Sequence, residues 1–195
     1  MTKIHLLNKS KQITLTAIVI KSSEYGEFDK NLTLFSHEGK TVRAKIRGVK
    51  KEKAKLKFAA QPFAFCEFEL AEKNDFLTVT GATQIEDISN IVHDYDAFAL
   101  SALMFECTTI AVSHAPIPEL FPLLLNCFRH ILYKNICPFT IACFYIDNIL
   151  ILEGYQKDSN KTIETLFEQD KSDFKKTINF FETTYNIKLK TKINH

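Results

Sequence analysis

Apolar positions along the chain change their period once, close to Asp87. Ahead of it they come in short runs with strand spacing. Residues 13–20 are rich in β-branched side chains, 31–35 are short and apolar, and 41–47 alternate, with Val42, Ala44 and Ile46 opposed to Thr41, Arg43, Lys45 and Arg47. Runs at 63–70 and 76–80 bring the predicted strands to five. The breaks carry turn chemistry: 22–30 holds Gly26 and Asp29, and 36–39 ends on Gly39, which is free to take a positive φ. Five short antiparallel strands with no helical stretch between them fit a small Greek-key barrel. The oligonucleotide-binding (OB) fold is the expectation, and an SH3-like barrel fits the pattern nearly as well.

Beyond Asp87 the apolar spacing is helical, at 95–112, 118–134 and 138–155, followed by two more polar segments at 161–169 and 172–185. Pro116, Pro118 and Pro138 stand at helix starts, where a missing N–H costs nothing, and Gly154 stands where a helix would end. Asp170, Ser172 and Asp173 supply caps for the last helix. The expected fold class is therefore α+β: a barrel over 1–88 that binds nucleic acid, then an all-α domain over 89–195 that binds partners.

Composition agrees with two folded cores: 46% of residues are hydrophobic, 25% are charged, and there are 17 Phe. The most apolar stretches, 97–112 and 138–152, are interrupted by Glu106 and Asp147. Both fall short of the ~20 residues of a membrane span, so they read as core helices with no membrane role. Residues 1–12 carry Lys3, Lys9 and Lys11 without a signal-peptide core, so export is not expected. Cys66, Cys107, Cys127, Cys137 and Cys143 are odd in number, lie among apolar neighbours and form no C-x-x-C pair. Buried free thiols of a cytosolic protein are expected, with no bound metal and no cofactor.

Charge changes the picture more, because the net +2 is unevenly spread. Residues 1–39 sum to +1, residues 40–57 to +8, and the rest to −7. The basic segment comprises Lys40, Arg43, Lys45, Arg47, Lys50, Lys51, Lys53, Lys55 and Lys57, against Glu52 alone. On a strand, Arg43, Lys45 and Arg47 share the outward face at intervals of about 6.6 Å, close to the phosphate spacing of a stretched single strand. Gly48 then releases the chain into a lysine-rich loop, expected to stay open through its own repulsion until a polyanion neutralises it. Lysines that merely guard an edge strand would account for Arg43, Lys45 and Arg47, but not for five more cations in 50–57. Tyr25, Phe28 and Phe58 are the aromatic residues expected to stack on bases.

Catalytic patterns are missing from the sequence. Gly39 and Gly48 do not form a phosphate loop, and there is no G-x-S-x-G or H-E-x-x-H. Asp94 and Asp96, near Glu86, Asp87 and His93, read as helix N-terminal acids rather than metal ligands. Cys127 and His130 read as ordinary helix residues, because no second ligand pair accompanies them.

The run Glu24-Tyr-Gly-Glu-Phe-Asp29, then Leu32-Thr-Leu-Phe35, Gly39-Lys40, Ala44-Lys-Ile-Arg-Gly48 with its following lysines, and Gln61-Pro-Phe63 resembles the N-terminal domain of the RecO family of recombination mediators. The resemblance is strongest over 13–85 and continues weakly through Glu153-Gly-Tyr155 and Ile187-Lys-Leu-Lys190. Many members of that family carry a four-cysteine zinc site after the Gly-Tyr element, whereas 156–169 here holds no cysteine. The resemblance implies a non-enzymatic, bacterial, cytoplasmic and nucleoid-associated protein. Such a protein binds single- and double-stranded DNA, anneals complementary strands, and helps load RecA onto SSB-coated DNA together with RecR. DNA contact carries over to Lys40, Lys45, Arg47, Lys50, Lys51 and Lys53, with Arg43, Lys55 and Lys57 added on charge. Arg129 and Lys134, beside Phe128 and Leu132, are the expected receivers of an acidic, apolar-ended partner such as the SSB C-terminal tail. Two other functions share these features: an RNA-binding OB protein, and an adaptor whose lysines hold an acidic protein.

Overall fold

The structure is a computed structural model that describes residues 11–133, 136–157, 171–191 and 193. Its first half is a closed five-stranded barrel of order β1-β2-β3-β5-β4. The strands are β1 Lys11–Tyr25, β2 Asp29–Ser36, β3 Thr41–Ile46, β4 Phe65–Lys73 and β5 Phe76–Glu86. The expected OB fold is what forms, with one difference from an all-antiparallel sheet. β3 and β5 run parallel, pairing Lys45 with Thr78 and Ile46 with Val79. The parity of the barrel requires it: strand directions cannot alternate all the way around a ring of five, so one seam must be parallel.

Period-two alternation fills the barrel. Ile13, Leu15 and Ala17 of β1 face Leu70, Phe68 and Cys66 of β4 across the antiparallel ladder. Leu32, Leu34, Ala44, Ile46 and Val79 complete the same core. Two strands run longer than their hydrophobic pattern. β1 continues through 21–25, which are mostly exposed, because the hairpin ladder with β2 carries it there rather than burial. β5 continues past Thr80 by bulging: the register slips between Glu69 and Leu70, and the Glu69 side chain lies over Gly81, where a Cβ would meet its Oε2 at 2.5 Å. Between β3 and β4, Phe63 takes the left-handed conformation (φ 69°) and is fully buried, with its N–H donating to the Val19 carbonyl at 2.9 Å. That places the Gln61-Pro-Phe63 element at a backbone reversal beneath β1.

The chain divides into two compact units, the first made of 1–34 with 42–86 and the second of 35–41 with 87–195. Among the described residues the second holds a 3-10 turn at Ser89–His93 and four helices: α1 Tyr95–Ala111, α2 Leu120–Tyr133, α3 Pro138–Leu152 and α4 Lys171–Tyr185. The helix expected over 161–169 lies outside the described residues. Asp94 caps α1, its Oδ1 accepting the Ala97 N–H at 2.8 Å, and this is the role expected of that acid. Pro138 opens α3, and Gly154 (φ 79°) closes it in a Schellman arrangement, with Gly154 N–H on Ile151 and Tyr155 N–H on Leu150. His130 is buried, with Nδ1 2.8 Å from the Asn126 carbonyl. Past α4, Glu106 of α1 accepts the backbone N–H groups of Lys190 and Thr191 at 2.8 and 2.9 Å. No described helix is long and apolar enough to cross a membrane.

α1 packs on α3 through a buried polar pair. Thr108 Oγ1 donates to the Met104 carbonyl at 2.7 Å, so the Tyr145 hydroxyl, 2.6 Å away, is the donor to Thr108. Burial holds the Tyr145 phenol far above its ordinary range and thus protonated. Tyr145→Phe removes a hydrogen bond but leaves Thr108 satisfied through Met104. A loss of about 1 kcal/mol is expected, read as a lower urea midpoint at unchanged slope.

Four thiols are buried as expected, and burial pushes Cys66 to about 11 and Cys143 to about 12. Cys137 departs from the expectation. It is exposed, because it occupies the N-cap position ahead of Pro138, where the chain enters α3.

Candidate nucleic-acid interface

β3 sorts its side chains by pleat: Ala44 and Ile46 are buried in the barrel, while Arg43 is exposed on the other face. Arg47 lies just past the strand end and is exposed. Gly48 (φ 63°) then turns the chain, as its sequence position indicates. The lysine-rich segment beyond Gly48 is folded, contrary to the open loop expected. Residues 48–57 form successive turns, with Lys51 N–H on Gly48 at 3.2 Å and Ala54 N–H on Lys51 at 3.1 Å. Val49 is 4% exposed and Leu56 packs against the barrel core, so two apolar anchors hold the segment down against its own charge. Lys57 Nζ donates back to the Glu52 carbonyl at 2.7 Å.

The turn between β1 and β2 docks on this basic segment. The Lys50 N–H donates to the Phe28 carbonyl at 3.0 Å, and the Gly48 N–H donates to Asp29 Oδ1 at 2.8 Å. The other oxygen of Asp29 holds the Lys45 ammonium at 2.9 Å, and Glu24 holds that of Lys50. Lysine cations also sit over the turn's aromatic rings: Lys45 Nζ is 4.1 Å from the Tyr25 centroid and Lys51 Nζ is 5.5 Å from that of Phe28. Both rings remain open to solvent, at 51% and 40% exposure. Phe58 is comparably exposed on its 3-10 turn but makes no cation–ring contact among the described residues.

Electrostatics divide the cations into two sets. The Lys50 ammonium beside Glu24 holds that carboxyl below the ordinary carboxylate range, and Lys45, helped by the Gly48 N–H, does the same for Asp29. Both acids are therefore ionised at neutral pH and occupy their lysines. Arg43, Arg47, Lys53 and Lys55 are exposed and have no ion pair among the described residues.

Other expected site residues lie elsewhere. Lys40 is in the β2–β3 connection, counted with the second unit, and pairs with Glu38. Arg129 is exposed on α2, but its neighbour Phe128 is fully buried, which leaves Leu132 and the exposed Tyr133 as the apolar surface near it. Lys134 lies outside the described residues. Sequence reasoning missed Glu24 and Asp29 as members of the site. The available signal was two acids in a turn of opposite charge to the segment at 40–57.

A closed five-stranded barrel with β3 parallel to β5, followed by helices, defines an α+β protein of the OB class. Residues 10–87 match the family model "Recombination protein O N terminal". Over 141 residues, more than that segment holds, the chain is 32% identical to the DNA repair protein RecO of Desulfitobacterium hafniense, covering 72% of this chain and 51% of that protein. RecO of Syntrophomonas wolfei is 28% identical, over 71% of this chain and 56% of that protein. RecO of Bacillus pumilus is 31% identical over 115 residues, covering 58% and 45%. These matches agree with the resemblance noted in the sequence: residues 10–87 match the RecO N-terminal domain, and the similarity to RecO proteins extends beyond it. It spans about half the length of the curated relatives it matches.

Proposed function

We propose that this protein acts in DNA repair and recombination as a DNA-binding mediator, holding strands along the basic flank of its barrel. The observation that carries this is the set Arg43, Arg47, Lys53 and Lys55: four exposed cations on and after β3, without an ion pair among the described residues, on a chain similar to RecO. Phosphates engage these cations, and Tyr25 and Phe28 offer exposed ring faces for bases. Binding of this kind is tolerant of sequence. Strand annealing needs no catalytic residue, because neutralised phosphates reduce the repulsion between strands and base pairing supplies the free energy. The same reading includes double-stranded DNA binding and loading of RecA onto SSB-coated DNA with RecR. Arg129 and Lys134 are the proposed contacts for the SSB C-terminal tail.

The test is fluorescence anisotropy with a labelled single strand across a salt series. Four to six phosphate contacts give a slope of log affinity on log salt of about −3 to −4. A flat response would remove the phosphate path and favour the adaptor function. Equal-length DNA and RNA competitors separate this function from an RNA-binding barrel, which gains from the 2′-hydroxyl.

A further inference from the structure

We propose that Glu24 and Asp29 are selectivity residues, resident competitors that make the basic flank of the barrel accept long polyanions and refuse short ones. The proposal rests on the phosphate path above and concerns which anions that path admits. Its basis is the pairing geometry: Glu24 holds Lys50, Asp29 holds Lys45 at 2.9 Å, and the same two lysines border the turn that carries Tyr25 and Phe28.

A carboxylate fixed within reach of a lysine acts at a high effective concentration, because it is tethered to the same barrel. A small anion arriving at Lys45 or Lys50 exchanges one anion for another and gains almost nothing. A polynucleotide is different, because while some of its phosphates meet the occupied lysines, others reach Arg43, Arg47, Lys53 and Lys55, which make no ion pair among the described residues. Only a ligand long enough to collect those cations repays displacement of the acids. The Tyr25 ring follows the same rule. Lys45 lies over Tyr25 while it is held by Asp29, so a base that takes this ring face displaces the ammonium as well.

Glu24 is the cleaner position to test, since its carboxylate is exposed and touches the lysine side chain. Asp29 also anchors the turn by accepting the Gly48 N–H, and asparagine keeps that acceptor while removing the charge. The variants are therefore Glu24→Gln and Asp29→Asn, compared with the full chain by anisotropy on a short labelled single strand and by direct titration with inorganic tripolyphosphate. Each substitution is expected to raise affinity for the short strand about threefold, the size typical of one exposed ion pair. The salt slope should steepen by about 0.7 as one more cation becomes available to phosphate. Tripolyphosphate should bind each variant several-fold more tightly than wild type. Unchanged affinity and slope in both variants would overturn the proposal. So would weaker binding in Glu24→Gln, which would make that acid a support for the site. The tripolyphosphate arm keeps the two ideas apart: wild-type protein indifferent to DNA while the variants gain affinity for tripolyphosphate removes the DNA-binding function but keeps the competitors.

Discussion

Replacing Arg43, Arg47, Lys53 and Lys55 together by alanine is expected to lower single-strand affinity by about two orders of magnitude at 0.15 M salt. The size follows from counterion release. Four phosphate contacts contribute about 2.8 to the salt slope on a single strand, and that slope projected from 1 M to 0.15 M salt is a factor of about 200. The remaining slope should be near −1. Fold should be untouched, because these four side chains are exposed and make no ion pair among the described residues. Far-ultraviolet dichroism and the melting midpoint of the variant serve as controls. Alanine at Lys50 should cost less than one quarter of the total logarithmic loss, since Glu24 already occupies that cation. Equal losses at all positions would mean that bulk positive charge, and not the division between paired and unpaired cations, governs binding. Unchanged affinity in the quadruple variant would move the function to the adaptor class.

The barrel was legible in the sequence because alternation at 41–47 and the β-branched run at 13–20 encode faces and not merely strands. A one-residue slip at Ala44 or Ile46 would have put charge in the core. The outer ends of β1 and β5 were not legible. Residues 21–25 are polar on both faces and are strand only because β2 lies beside them, and Gly81 sits in a bulge that hides its period. The four described helices follow their expected ranges to within a few residues, with Pro138 and Gly154 marking the ends of α3. At the site, the cations were readable as a list, whereas their pairing state was not. Nothing in Glu24 or Asp29 as letters says that a hairpin turn folds back onto Gly48 and Lys50; that needs the hydrogen bonds from Gly48 and Lys50 to Asp29 and Phe28. The lysine segment is held by Val49 and Leu56, two apolar residues that a charge count passes over.

Gly39→Ala is expected to destabilise the second unit by about 3 kcal/mol or more, which is at the upper end of single-substitution effects. Two costs add at this position. Gly39 has φ 73°, a conformation that costs an L-residue about 1–2 kcal/mol. A Cβ there would also lie 2.1 Å from the Ile117 carbonyl carbon and 2.3 Å from Pro118 N, both backbone atoms that cannot swing aside. The close approach is held in place by the Ile117 N–H, which donates to the Gly39 carbonyl at 2.9 Å just ahead of α2. Relief of the clash would therefore break this hydrogen bond as well. Gly26→Ala separates the two costs, since Gly26 has φ 63° but would place its Cβ in open space. That variant should lose only the conformational part, about 1 kcal/mol. In thermal melts, where about 1 kcal/mol moves the midpoint of a chain this size by 2–4 °C, Gly39→Ala should fall by roughly 10 °C and Gly26→Ala by a third of that. Equal shifts would show that residues 35–41 do not pack against Ile117 in solution, because only the close approach distinguishes the two glycines.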